Sequence, residues 1–177
     1  KKRLARLAAV VMSVMMIGSL AACGSGDGGS GDGGSASKGS SGDTIKVGIV
    51  IPETGALAAF GAGTQEMTQY ALDQINEAGG IEVDGTAKKL ELVVADSESN
   101  ATKASEAANN LISSKNIDIM ITSHTADTTV PVAAACERAG VVCLSVDTPD
   151  EAWATSDYKY SYHAGFNTEN ELSCFKD

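Results

Sequence analysis

The chain has 177 residues, with 13 lysines and arginines against 23 aspartates and glutamates and a formal net charge of −10. A balance that acidic argues against a nucleic-acid partner, whose phosphates need Lys and Arg. From Thr44 to Asp177 the length suits one modest domain, and that stretch contains no apolar run long enough to span a bilayer.

The amino-terminal stretch KKRLARLAAVVMSVMMIGSLAAC sets Lys1, Lys2, Arg3 and Arg6 ahead of an apolar run from Leu7 to Ala22. Basic residues, then a short apolar run, then small residues is the order of a secretory signal. The run is shorter than the roughly 20 residues of a spanning helix. Leu20-Ala21-Ala22-Cys23 resembles the lipobox of bacterial lipoproteins, which implies cleavage before Cys23 and a lipid on its sulfur. The alternative is an uncleaved anchor with an incidental cysteine. Residues 1–22 are therefore read as a lipoprotein signal peptide whose true start lies upstream of Lys1. Residues 23–43 are read as the lipidated Cys23 and a flexible Gly/Ser/Asp tether, too poor in apolar surface to offset its ordering entropy. Two acyl chains give stable anchoring where one is marginal, so the expected location is the extracytoplasmic face of the cell membrane.

Past the tether, TIKVGIVI (Thr44 to Ile51) reads as a strand buried on both faces. A turn through PETGALAAFGAG leads to a helix in TQEMTQYALDQINEAGG, where Met67, Tyr70, Ala71, Ile75 and Ala78 share one stripe and Gly79 and Gly80 supply the stop. KLELVVAD (Lys89 to Asp96) is a second strand. Ser99 to Asn116 reads as a second helix with Ala104, Ala107, Ala108, Leu111 and Ile112 inward. IDIMITS (Ile117 to Ser123) is a third strand. DTTVPVAAACERAG is a third helix ending at Gly140, and VVCLSVD a fourth strand. Pro131 is tolerable only near a helix start, which sets that start at about Asp127 or Thr128. The β-α-β-α-β-α-β alternation predicts an α/β fold, a doubly wound parallel sheet with helices on both faces.

In such folds ligands lie beyond the carboxyl ends of the strands. That rule singles out Pro52 to Gly63, Asp96 to Asn100, Ser123 to Thr129, and Asp147 to Trp153. SHTADTT is the richest, with hydroxyls, an imidazole and a carboxylate directly ahead of a helix whose first amides have no intrahelical acceptor. Such a start suits a carboxylate or other anion; equally, Asp127 or Thr128 can serve simply as its cap. Export permits a disulfide between Cys136 and Cys143, seven positions apart, while two buried free thiols fit the spacing as well. Cys174 is left without a partner in either case.

Several chemistries lack their motif. FGAGTQE has a GxG, but Glu66 stands where a dinucleotide fingerprint needs its third glycine. There is no GxxxxGK[ST], GxSxG, HExxH or paired CxxC. His124 and His163 could join Asp127 and Asp147 in a metal or acid-base cluster, but their spacing points to polar binding or packing. No cofactor, metal or catalytic residue is expected.

IPETGALAAFG, INEAGGI, LELVVADSES, TSHTADTTVPVAAACERAGVVCLSVDTPDEAW and YKYSYHAGFN together resemble the substrate-binding proteins of ABC importers of the branched-chain amino acid type. The resemblance covers Thr44 to Asn167. It implies a periplasmic-binding-protein type I fold, in which two α/β lobes close on a small solute that is passed to a permease and its ATPase. On that reading 44–165 is the amino-terminal lobe and 166–177 the start of a second, so only an incomplete first lobe is present. The resemblance also implies that Phe60 lies against the ligand, that Thr125, Ala126, Asp127 and Thr128 form the carboxylate-binding loop, and that Ser145, Asp147 and Thr148 belong to the loop receiving an ammonium group. Here Ala126-Asp127 replaces the usual Ser-Ser or Ser-Gly pair, and Val146-Asp147-Thr148-Pro149 the usual small, hydroxyl-rich segment. An added carboxylate repels an α-carboxyl, whereas Asp147 can pair with an amine or amide. The expected function is capture, without catalysis, of an amino acid or a related polar solute such as an amide or urea-like compound. The alternative is a ligand-sensing domain of the same fold used in signalling.

Overall fold

The computed structural model describes residues 42–152 and 157–176. The signal peptide, Cys23, the tether up to residue 41 and Trp153 lie outside the described residues. The elements in chain order are β1 (Thr44–Ile51), α1 (Ala58–Gly61), α2 (Thr64–Glu77), β2 (Ile81–Val83), β3 (Thr86–Asp96), α3 (Ala101–Ser113), β4 (Ile119–Ser123), α4 (Ala126–Ala139) and β5 (Val142–Pro149). A 3-10 turn (Asp150–Ala152), β6 (Ser161–Phe166) and α5 (Thr168–Ser173) follow.

The six strands form one sheet in the order β2-β3-β1-β4-β5-β6. β1 pairs in parallel with β3 and β4, β4 with β5, and β5 with β6. This is the expected parallel α/β sheet. The last five residues of the central strand β1 are buried, as its β-branched run implies.

β2 was not expected. It pairs antiparallel with β3, Val83 opposite Thr86. The two-residue link Asp84-Gly85 has φ of 51° and 76°, the doubly positive geometry of a tight hairpin turn, in which Gly is strain-free and Asp tolerated.

The main core lies on one face of the sheet, under α3 and α4. Ala104, Ala108 and Leu111 of α3 and Val132, Ala133, Ala135 and Cys136 of α4 pack with Val50, Met120 and Cys143 from the strands. Ala107 and Ile112 border this cluster, so the inward stripe of α3 is as predicted.

On the opposite face the predicted stripe of α2 does not hold. Leu72 is the buried residue of this helix, whereas Met67 and Tyr70 are about two-thirds exposed, and Ala71, Ile75 and Ala78 are also exposed. The side that turns inward follows Thr64, Thr68, Leu72 and Asn76 at four-residue spacing. The reason is partial cover. α2 packs chiefly on β3, and two apolar grooves remain between it and the sheet. Ile75 lines one, of about 530 Å³, with Val47 and Ile119; Met67 and Ala71 line the other, of about 550 Å³, with Ile121 and Leu144.

α4 also starts earlier than expected. Thr125 is its N-cap residue, so neither Asp127 nor Thr128 caps it, and Pro131 is the sixth helical residue. The Asp127 carbonyl thus loses the partner that residue 131 would normally supply, one turn inside the helix. Gly140 closes the helix in the left-handed conformation. Among the described residues no helix is long and apolar enough to cross a membrane.

Candidate functional site

The loops leaving β1, β4 and β5 meet at the carboxyl ends of these strands, and each is held by its own polar contacts. After β1, the Asp96 carboxylate at the end of β3 accepts hydrogen bonds from the amides of Glu53 (2.9 Å) and Thr54 (3.3 Å) and from the Thr54 hydroxyl (2.6 Å). It also accepts one from the Glu98 amide at 2.7 Å. Burial pushes the Asp96 carboxyl up, but the Thr54 hydroxyl and the three amides outweigh it and hold the group below its ordinary value. Ser99 Oγ accepts from the Leu57 amide at 2.9 Å and donates to the Thr54 carbonyl. The stretch from Asp96 to Asn100 is thus a strap for the loop after β1. That loop folds tightly back: a Cβ on Gly61 would lie 2.1 Å from the Pro52 carbonyl oxygen, an approach only glycine permits. Phe60 is thereby fixed beside the strand end, 57% exposed.

His124 joins the three loops. Its Nε2 is 3.0 Å from Thr64 Oγ1, its Nδ1 is 3.5 Å from Asp147 Oδ2, and its ring centroid is 6.4 Å from that of Phe60. The imidazole is 12% exposed and the Asp147 side chain 67% exposed. Both residues have positive φ, 82° and 59°. Non-glycine residues held there cost about 1–3 kcal/mol each, and such strain clusters at ligand clamps and switch regions.

The strand alternation explains how Asp147 reaches this position. Cys143 faces α4, so Ser145 and then residue 147 would face the same way in an unbroken strand. The pairing with β6 shifts register between Val146 and Pro149. This bulge turns Asp147 out to solvent and Thr148 in, fully buried. Thr148 Oγ1 then lies 3.3 Å from the His124 carbonyl oxygen and 3.4 Å from Thr129 Oγ1, alternative acceptors for its one proton.

The start of α4 lies next to this cluster in sequence. Thr125 Oγ1 and Thr128 Oγ1 are 3.1 Å apart, and the amides of Thr128 and Thr129 both point to the Thr125 carbonyl. Thr125 and Ala126 are half-buried, Thr128 is buried and Asp127 is exposed in the first turn, where the helix dipole favours a carboxylate.

The sequence-predicted residues therefore divide. The structure brings Phe60 and Asp147 together on His124, with Thr125 adjoining it. Thr148 lies beneath, as a support. Ser145 is fully buried on the α4 side, its hydroxyl without a hydrogen-bond partner. Thr64 is the residue the sequence reading missed, because its helical position carries no signal until it meets the imidazole. His124 pairs with Asp147, while His163 Nε2 lies 3.1 Å from Asp150 Oδ1, so the two histidines serve separate carboxylates. Among the described residues no group of three or more His, Cys, Asp or Glu could hold a metal ion. Chemically, the cluster offers an aromatic face, an exposed carboxylate positioned by an imidazole, and a hydroxyl-bearing helix start.

Comparison with known proteins shows the family of the chain. The family profile described as periplasmic binding protein matches residues 44–174. An amino acid binding protein of Pseudomonas aeruginosa is 28% identical over 101 residues, which cover 57% of this chain and 26% of that protein. A Leu/Ile/Val-binding protein homolog of Brucella melitensis is 30% identical over the same shares. The crystal structure of the branched-chain amino acid transporter substrate binding protein LivJ from Streptococcus pneumoniae, in complex with isoleucine, aligns with a TM-score of 0.63 and 32% identity. That alignment covers 70% of this chain and 34% of LivJ. The chain spans about a quarter of the length of the curated relatives it matches and a third of the solved one.

Proposed function

The chain belongs to the periplasmic binding protein family, with the type I fold, and from that premise we propose that it is part of the first lobe of an extracytoplasmic solute-binding protein. The full protein captures an amino acid or a related small polar solute, an amide or urea-like compound included, and hands it to an ABC permease and its ATPase. It binds without turnover. Cys23 carries the lipid and residues 24–43 are the tether that lets the lobes move near the outer side of the membrane.

The observation that carries this reading is the meeting of Phe60, His124 and Asp147 at the strand ends, beside the start of α4. An α-carboxylate is received by the helix-start amides and hydroxyls of Thr125 to Thr128, and an amine or amide N–H by Asp147. Ala126 keeps that loop's backbone open to a ligand. The exposed carboxylates of Asp127 and Asp147 bias the site away from anions and toward solutes with a donor group. The branched-chain specificity named for the relatives is therefore only one of the possible cargoes.

The test is a thermal-shift screen of the full-length mature protein against amino acids and uncharged amides in parallel. A ligand at a hundred times its Kd stabilises by about 2.7 kcal/mol, a shift of several degrees. Stabilisation by members of either panel supports the reading. A flat response to both, together with a flat response to small aromatic and polyamine solutes, contradicts it.

A further inference from the structure

Cys136 lies near the carboxyl end of α4, and Cys143 is the second residue of β5; Gly140 turns the chain between them. Both side chains are 0% exposed and belong to one hydrophobic cluster. Both are free thiols in the structure. The hydrogen bond with Cys136, then burial, then the charges of Cys136 and Glu137 push the Cys143 thiol far above its ordinary value.

We propose that Cys136 and Cys143 are joined as a disulfide in the mature protein, stapling the carboxyl end of α4 to the start of β5, at the far end of both elements from the site. The proposal rests on the extracytoplasmic reading above. The placement is suitable: the two cysteines sit on elements already packed on each other and point into one buried cluster, where a bond of about 2.05 Å between their sulfurs can form. Cys174 is exposed at the end of α5, whereas Cys136 and Cys143 already share one buried cluster.

The suppressed thiolate also fixes when the bond forms. In the folded chain Cys143 is neutral and out of reach of an oxidant, and only a thiolate attacks a disulfide. Oxidation therefore occurs while the core is still open. A thiolate of the pair attacks the disulfide of an exported thiol oxidoreductase, giving a mixed disulfide. The second cysteine, as thiolate, displaces the enzyme's sulfur. The pair loses two electrons and two protons in total, and the enzyme is left as a dithiol. Once α4 closes over β5, the bond is shielded from small-molecule reductants. α4 begins at the helix start proposed to meet the solute and β5 carries Asp147 near its carboxyl end, so the staple ties together the two elements that carry those loops.

Arg138 lies between the cysteines, which makes peptide mapping decisive. Tryptic cleavage after Lys115, Arg138 and Lys159 puts Cys136 in 116–138 and Cys143 in 139–159. Full-length protein is recovered from the extracytoplasmic fraction, denatured in alkylating reagent without reductant, and digested. The expected result is one joined species of these two peptides that separates on reduction, with the Cys174 peptide alkylated as an internal control. Cys136→Ala should make Cys143 fully alkylatable, a readout taken in denaturant and so independent of whether the variant folds. Separate, alkylated 116–138 and 139–159 peptides would overturn the proposal while leaving solute binding untouched, as would a link from either cysteine to Cys174. Absence of the protein from that fraction would overturn the localisation and the staple together.

Discussion

Asp96 gives the sharpest energetic prediction, because one carboxylate holds the start of the loop that carries Phe60. Its Oδ1 accepts three amides, from Glu53, Thr54 and Glu98, and its Oδ2 accepts the Thr54 hydroxyl. Asp96→Ala frees all four donors. Hydrogen bonds to charged groups contribute about 1.5–3 kcal/mol each where buried, but these donors can turn to water, so about 0.5 kcal/mol each, or about 2 kcal/mol in total, is expected. Asp96→Asn keeps an oxygen for the three amides and loses the charge, so it should cost about 1 kcal/mol. The pH dependence has a definite sign. The folded carboxyl titrates below its ordinary value, so its contribution is fully present above the unfolded pKa of about 3.9 and is lost as pH falls through the folded one. Denaturant unfolding of the full-length protein and both variants at neutral pH, and again down to about pH 3, provides the assay. A difference between wild type and Asp96→Asn that closes in acid supports the strap. Equal stability of wild type and Asp96→Ala at neutral pH, or a gap that persists in acid, would refute it.

Other positions test other joints. Gly48→Ala places a Cβ 2.7 Å from Ile117 Cδ1 in the core under α3 and should destabilise by about 1–3 kcal/mol, read as a lower denaturation midpoint. Glu137 at the end of α4 accepts the amides of Lys159, Tyr160 and Ser161, so Glu137→Ala should speed hydrogen exchange at 159–161 and leave β1 protection unchanged. Ser145→Ala removes a buried hydroxyl that has no partner and should change stability by no more than about 0.5 kcal/mol, with no change in solute affinity. Asp147→Asn should weaken amine- or amide-bearing solutes and strengthen carboxylates, as read by calorimetric titration.

Much of this fold is legible in the chain because its patterns are strong. TIKVGIVI reads as a central strand, and the alanine spacing of α3 identifies its buried side. The misses have physical causes. The β2-β3 hairpin is signalled only by Asp84-Gly85 between the three-residue β2 and the exposed start of β3, a weak pattern beside the long apolar runs. The stripe of α2 was misassigned because amphipathic spacing names an apolar side but not what covers it. Met67, Ala71 and Ile75 border grooves and lie outside the closed core. At the site, alternation along VCLSVD places residue 147 inward, and only the bulge against β6 sends Asp147 out to His124. Thr64 was silent for the same reason, since its partner is 60 residues away. The resemblance names the loops after β1, β4 and β5, whereas the contacts between them are tertiary.

The most direct test of the account is a crystal structure of the full-length protein with the most stabilising solute bound. The account predicts that solute at the carboxyl ends of β1, β4 and β5, against Phe60, within hydrogen-bond distance of the Thr125 to Thr128 loop or the Asp147 carboxylate. A solute seated in the apolar grooves beside α2, with those residues unengaged, would contradict it.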